Sequence, residues 1–107
     1  MAQFKEVAIE TLEETYAKLV AKPTIDMSAQ EIEIRGETVH DISLKILKIE
    51  TTSMQKLNEA MSARGDEMQD ALTNLEKAAT ENTDYLTMLQ AVDQALQLVS
   101  STFLFLL

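Results

Sequence analysis

The sequence predicts an all-α protein: an antiparallel helical hairpin or small helical bundle with coiled-coil-like packing, in a single domain of 107 residues. Three observations carry that expectation. The chain holds only two Gly and one Pro, too little turn chemistry for a β-sandwich, which needs a turn every ~8–12 residues. Its abundant Ala, Leu, Glu, Gln, Met and Lys are strong helix formers. Apolar residues then recur at alternating steps of three and four along most of the chain, the period of one helix face.

The first element is a helix over 2–21. Phe4, Ala8, Leu12, Tyr16, Leu19 and Val20 form its apolar side and Glu6, Glu10, Glu13 and Glu14 its polar side. Lys18 and Lys22 suit the negative end of the helix dipole. Pro23 ends it, because the residue before a proline is pushed out of the helical region.

Residues 22–36 read as a connector. Ser28 followed by Glu31 is a capping-box pattern that would open a helix near Ala29. Against it, "EIEIR" alternates with the period of a strand, and Gly36 is costly inside a helix. The expectation is an irregular connector with a possible short extended segment at 24–35. A second helix over about 37–63 follows, carrying Val39, Ile42, Ile46 and Ile49. Its face shifts at Ser53, where Met54 takes the apolar place one residue late.

From Met61 a seam runs through Gly65, Met68, Leu72, Leu75, Ala79 and Asn82 to Leu86 and Leu89. After a three-residue step it continues as Val92, Leu96, Val99, Phe103 and Leu106, a coiled-coil-like pattern. Gly65 with Asp66, and Thr83 or Asn82, are candidate helix starts, which divides the seam into helices over about 67–80 and 84–106 unless these two run together as one long helix. "RGETVHD" and "RGDEMQD" share their helix-start chemistry, consistent with a hairpin around Gly65.

Net charge of −9 argues against nucleic acid, whose phosphates are met by clustered Lys and Arg. Absence of Cys removes disulfides and thiolate metal sites. No basic n-region followed by an apolar h-region opens the chain, so no cleavable signal peptide is visible, and the compartment stays open. Glu37 and His40 have the spacing of di-iron helices, yet such a site needs a second motif and His40 is the only histidine. Glu10, Glu13 and Glu14 read as a solvated face, and Arg64-Gly65-Asp66 as helix punctuation. Met54, Met61, Met68 and Met88 read as core filling ahead of an adaptable binding surface. No catalytic, cofactor-binding or metal-ligating residue is expected, and no enzyme.

The segment "YLTMLQAVDQALQLVSSTFLFLL" carries one charge, Asp93. Gln90, Gln94, Gln97, Ser100 and Ser101 interrupt it too often for a spanning helix of ~20 apolar residues, so membrane insertion is not expected. Apolar residues nearly encircle its last turns, and such a helix is buried on all sides. Met68, Leu72, Leu75, Leu86, Leu89, Val92, Leu96, Val99, Phe103 and Leu106 are therefore the candidate interface. Either a second subunit or the rest of the same chain covers it.

"HDISLKILKIETTSMQKL" followed by "NTDYLTMLQAVDQALQLVSS" resembles the small secreted helical subunits of type III secretion systems, the needle and inner-rod proteins. In that family an Asn or Asp turn and an L-x-x-L-Q run introduce an ordered C-terminal helix. The likeness covers about half of the chain, which lacks the basic residue such proteins often carry near their end. It implies a self-associating subunit exported without a cleavable signal peptide. The expected function is thus a non-enzymatic structural or assembly protein. The alternative is a small acidic adaptor or chaperone that binds a partner helix in an apolar groove.

Overall fold

A computed structural model describes residues 4–81 and 84–102. These form four helices with no strand among the described residues: α1 Phe4–Val20, α2 Ala29–Thr51, α3 Met54–Glu81 and α4 Tyr85–Thr102. A short 3-10 turn, Thr24–Asp26, lies between α1 and α2. The all-α bundle predicted from periodicity is the fold.

Helix α1 packs against α2 and α3, and α4 packs against the same two, so α1/α4 and α2/α3 are the diagonals of a four-helix bundle. Long-range hydrogen bonds fix the direction of each helix. Lys5 Nζ donates to the carbonyls of Glu50 at 2.9 Å and Thr52 at 3.2 Å, which puts the start of α1 beside the end of α2. At the opposite end Arg35 donates to the Lys22 carbonyl at 2.8 Å and to Thr24 Oγ1 at 3.0 Å. The Tyr85 hydroxyl donates to the Leu19 carbonyl, and the Lys22 ammonium sits 4.6 Å from the Tyr85 ring centre. The helices therefore run up, down, up, down. Two antiparallel hairpins, α1–α2 and α3–α4, lie side by side.

Helix α2 begins about eight residues before the sequence expectation of about 37, at Ala29. Ser28 Oγ accepts from the Glu31 amide at 3.1 Å while Glu31 Oε1 accepts from the Ser28 amide at 2.8 Å. That reciprocal box satisfies two otherwise orphaned amides and outweighs the glycine, so 29–36 is helix, neither connector nor extended segment. The strand-like alternation has a helical explanation. At ~100° per residue, Ile32 and Ile34 sit roughly 200° apart and serve opposite flanks of α2.

The second correction is a break at Thr52 and Ser53, inside the helix expected over 37–63. Ser53 Oγ accepts from the Lys56 amide at 3.2 Å, which starts α3 at the point where the apolar face slips by one residue. Third, Gly65 does not turn the chain. It lies within α3, where Arg64 alone leaves helical geometry (φ −142, ψ 28) and kinks the helix. The hairpin expected there is replaced by the one between α3 and α4. Helix α4 is capped by Asp84, whose Oδ2 accepts from the Thr87 amide at 3.0 Å and the Thr87 hydroxyl at 2.9 Å. The proposed caps Asn82 and Thr83 lie outside the described residues.

The core is continuous through the bundle. Helices α1 and α2 bury single rows: Ala8, Leu12, Thr15 and Leu19 from one, Thr38, Ile42, Lys45 and Ile49 from the other. Helices α3 and α4 bury wider faces, with adjacent pairs Ala71/Leu72, Met88/Leu89 and Ala95/Leu96. No buried side-chain nitrogen or oxygen among the described residues lacks a partner. Thr15 Oγ1 donates to the Thr11 carbonyl at 2.8 Å. The nearly covered Lys45 ammonium meets Asp41 at 2.7 Å.

Candidate interaction surfaces

The α3–α4 seam is where the sequence placed the interface, and the bundle takes up that seam itself. Met68, Leu75, Leu89, Val92 and Leu96 are fully inaccessible, with Leu72 and Val99 nearly so. Leu86 is half-buried at the start of α4. Phe103 and Leu106 lie outside the described residues. The heptad-like spacing marks a buried face, and within the chain α3 and α4 cover each other while α1 and α2 complete the cover.

Apolar side chains that the bundle leaves in solvent are unevenly placed. Val7, Tyr16 and Val20 on α1, Ile25 in the 3-10 turn, and Ile32, Leu44 and Leu47 on α2 are exposed. Among the described residues of the second hairpin, the exposed large apolar side chains are Met54 and Leu98. Of the methionines read as a stripe, Met68 and Met88 are core, Met61 is half-buried and Met54 is exposed, so they do not form one face.

The hollows on the surface are open and shallow. A cleft of about 460 Å³ lies between α1 and α3 and is lined by Phe4, Val7, Thr11, Met61, Leu72 and Thr73 among others. Gly65 is nearby, and a methyl group there would sit 3.3 Å from Met61 Cε. A polar hollow between α2 and α4 is lined by Ile34, Glu37, Thr38, Gln90, Asp93 and Gln94 among others. No group of three or more potential metal ligands occurs among the described residues. Glu37 and His40 are both exposed on α2.

The acidic groups displaced from ordinary behaviour are helix caps. The Glu31 carboxyl is held below the usual range, first by the Ser28 amide and then by Lys22, whose ammonium lies 3.6 Å away. The Asp84 carboxyl is held down by the amide and hydroxyl of Thr87. Both shifts follow from hydrogen bonds to the ionised form and belong to the architecture. None of the described helices is long and apolar enough to cross a membrane.

Compared with protein-family models, with curated proteins and with solved structures, the chain matches none of them.

Proposed function

We propose that this protein is a non-enzymatic helical interaction module, an acidic adaptor that holds a partner helix against its own bundle. One observation carries the reading: among the described residues, exposed apolar side chains concentrate on α1–α2, while α3–α4 turns its apolar faces inward. Isolated apolar residues on a surface are ordinary, but a set gathered on one hairpin is the usual mark of a binding face. The carboxyls whose behaviour is shifted are used as helix caps. They do not converge on a cleft as an acid–base pair would.

The experiment is light scattering over a wide concentration range, combined with thermal melts with and without helical peptides. An adaptor keeps one discrete mass at all concentrations and melts higher when a helix that fits is added, by mass action on the folded state. A concentration-independent mass with no peptide raising the melting temperature contradicts the reading.

A second reading is an assembly subunit that self-associates through its C-terminal helices, in the manner of a needle or inner-rod protein. Leu98 favours it, standing exposed on α4 just before the apolar run Phe103-Leu104-Phe105-Leu106-Leu107. Under that reading the mass grows with concentration, and a chain ending at Thr102 remains monomeric.

A further inference from the structure

We infer that the outer groove between α1 and α2 docks a basic amphipathic helix, a proposal that rests on the adaptor reading and names its site and partner chemistry.

The groove follows from the register of the first hairpin. Lys5 bonded to Glu50 and Thr52, and Arg35 bonded to Leu19 and Lys22, bring Ile9 level with Ile46 and Tyr16 level with Val39. On α2, Ile32, Val39 and Ile46 recur every seven residues and, at ~100° per residue, fall on one flank of the helix, the flank that also holds Arg35 and so faces α1. Ile9, Tyr16 and Val20 share the flank of α1 that holds Lys5 and so faces α2. Ile9, Val39 and Ile46 are partly buried against the core, while Tyr16, Val20 and Ile32 remain exposed at 38%, 43% and 42%. The floor is thus apolar and anchored in the core, and its upper edge is open.

Small residues leave room for a third helix. Gly36 and Ser43 alternate with Ile32, Val39 and Ile46 in steps of four and three, the spacing of a helix-packing seam. A Cβ added at Gly36 would meet nothing within 4 Å. From Ile32 to Ile46 the seam runs 14 helical steps, about 21 Å of helix.

Charge selects the occupant. Glu6, Glu10 and Glu13 line the α1 rim and Glu50 the α2 rim, all exposed. They take no part in the ion pairs Lys22–Glu31, Lys45–Asp41 and Arg64–Glu67 of the described residues. The cations nearest the groove, Lys5 and Arg35, are turned inward onto backbone carbonyls. An apolar floor under a carboxylate rim complements a helix with leucine-like anchors on one side and Lys or Arg beside them. A second copy of this acidic chain would bring carboxylates against carboxylates.

The test uses the full chain and two synthetic amphipathic peptides of about 18 residues, one of Leu and Lys and one of Leu and Glu, long enough to span the seam. The Leu/Lys peptide is expected to bind and the Leu/Glu peptide not to bind. Binding should weaken with added salt, which cuts the reach of the exposed rim charges to about 10 Å at 0.1 M. The double substitution Val20→Ser with Ile32→Ser should weaken binding by about tenfold or more, and Glu6→Gln with Glu10→Gln and Glu13→Gln should remove most of the salt dependence. Leu44→Ser, away from the groove on α2, and Leu98→Ser on α4 should bind as the parent does. Circular dichroism on each variant separates lost binding from lost fold. If the groove variants bind normally while Val7→Ser loses binding, the groove is overturned and the adaptor reading stands. Failure of both peptides to bind overturns both. Equal binding of the two peptides overturns the charge argument, and a dimer abolished by Val20→Ser with Ile32→Ser makes a second copy the occupant.

Discussion

The two hairpins of this bundle are built from the same helical period but differ in what they bury. In α1–α2 the inward rows are one residue wide and include Thr15, Thr38 and Lys45. In α3–α4 the inward faces are two residues wide at several levels and are almost wholly aliphatic. The exposed apolar residues show the reverse distribution. Burial contributes about 25 cal/mol per Å² of apolar surface, so the second hairpin supplies more of the stability. The first keeps apolar area in solvent, where a partner can still gain from covering it. The two hairpins thus differ in how much each contributes to holding the fold.

The largest effect that sharpens this comparison is in the second hairpin. Leu96→Ala empties a fully inaccessible site and is expected to cost about 2–5 kcal/mol, measured by urea denaturation. Val20→Ser in the first hairpin should stay within about 0.5 kcal/mol, as exposed substitutions usually do. A large loss from Val20→Ser would show that its side chain supports the fold.

Next comes the ion pair inside the first hairpin. Lys45 occupies a core position with its side chain 8% exposed, while Asp41 is 42% exposed. Replacing a buried ion pair by apolar side chains is often neutral or stabilising, by about 1–4 kcal/mol, and here only Lys45 is buried, so Asp41 would stay hydrated without it. Lys45→Met should therefore hold or raise the melting temperature, whereas Asp41→Ala, which leaves the ammonium unpaired, should lower it. A lower melting temperature for Lys45→Met would mean the pair holds the α2 register.

Smaller effects test the helix ends and glycines. Ser28→Ala should cost about 1 kcal/mol through loss of the capping box. Gly36→Ala should stabilise by about 0.5–1 kcal/mol, since the helix interior disfavours glycine and the space is open. Gly65→Ala gains the same propensity but presses on Met61 Cε, so it should fall short of Gly36→Ala. The pH dependence follows from Glu31 and Asp84. Their folded carboxyls are held below the ordinary range, so their contribution is complete above that range and is lost as pH falls through the lowered values. Acid melts of Glu31→Gln should show a smaller loss than the parent, because the side chain at that cap no longer titrates while it can still accept from the Ser28 amide.

Much of the fold was legible in the sequence, and each misreading has a local cause. Helix α1 was plain because its apolar spacing and Pro23 agree. The start of α2 was obscured because Ile32 and Ile34 serve two flanks of one helix and so imitate strand alternation. The signal that decides the matter, Ser28 with Glu31, was present. The break at Thr52 and Ser53 has no Gly or Pro to announce it, and its only trace is the one-residue slip of the apolar face at Met54. Gly65 suggested a turn, yet a helix accepts glycine at about 1 kcal/mol, and here the chain only kinks at Arg64. As for the site, periodicity identified Met68 to Val99 as a covered face but not what covers it. The groove between α1 and α2 was invisible because it depends on the register of two helices, and Gly36, read as a helix start, hid its floor.

Native-state hydrogen exchange of the full chain tests the division between the hairpins most directly. The account predicts that amides in the middle of α3 and α4, around Leu75 and Val92, exchange only by global unfolding, while those of α1 around Leu12 open at lower free energy. Equal protection of the two hairpins, or slower exchange in α1 than in α4, would contradict it.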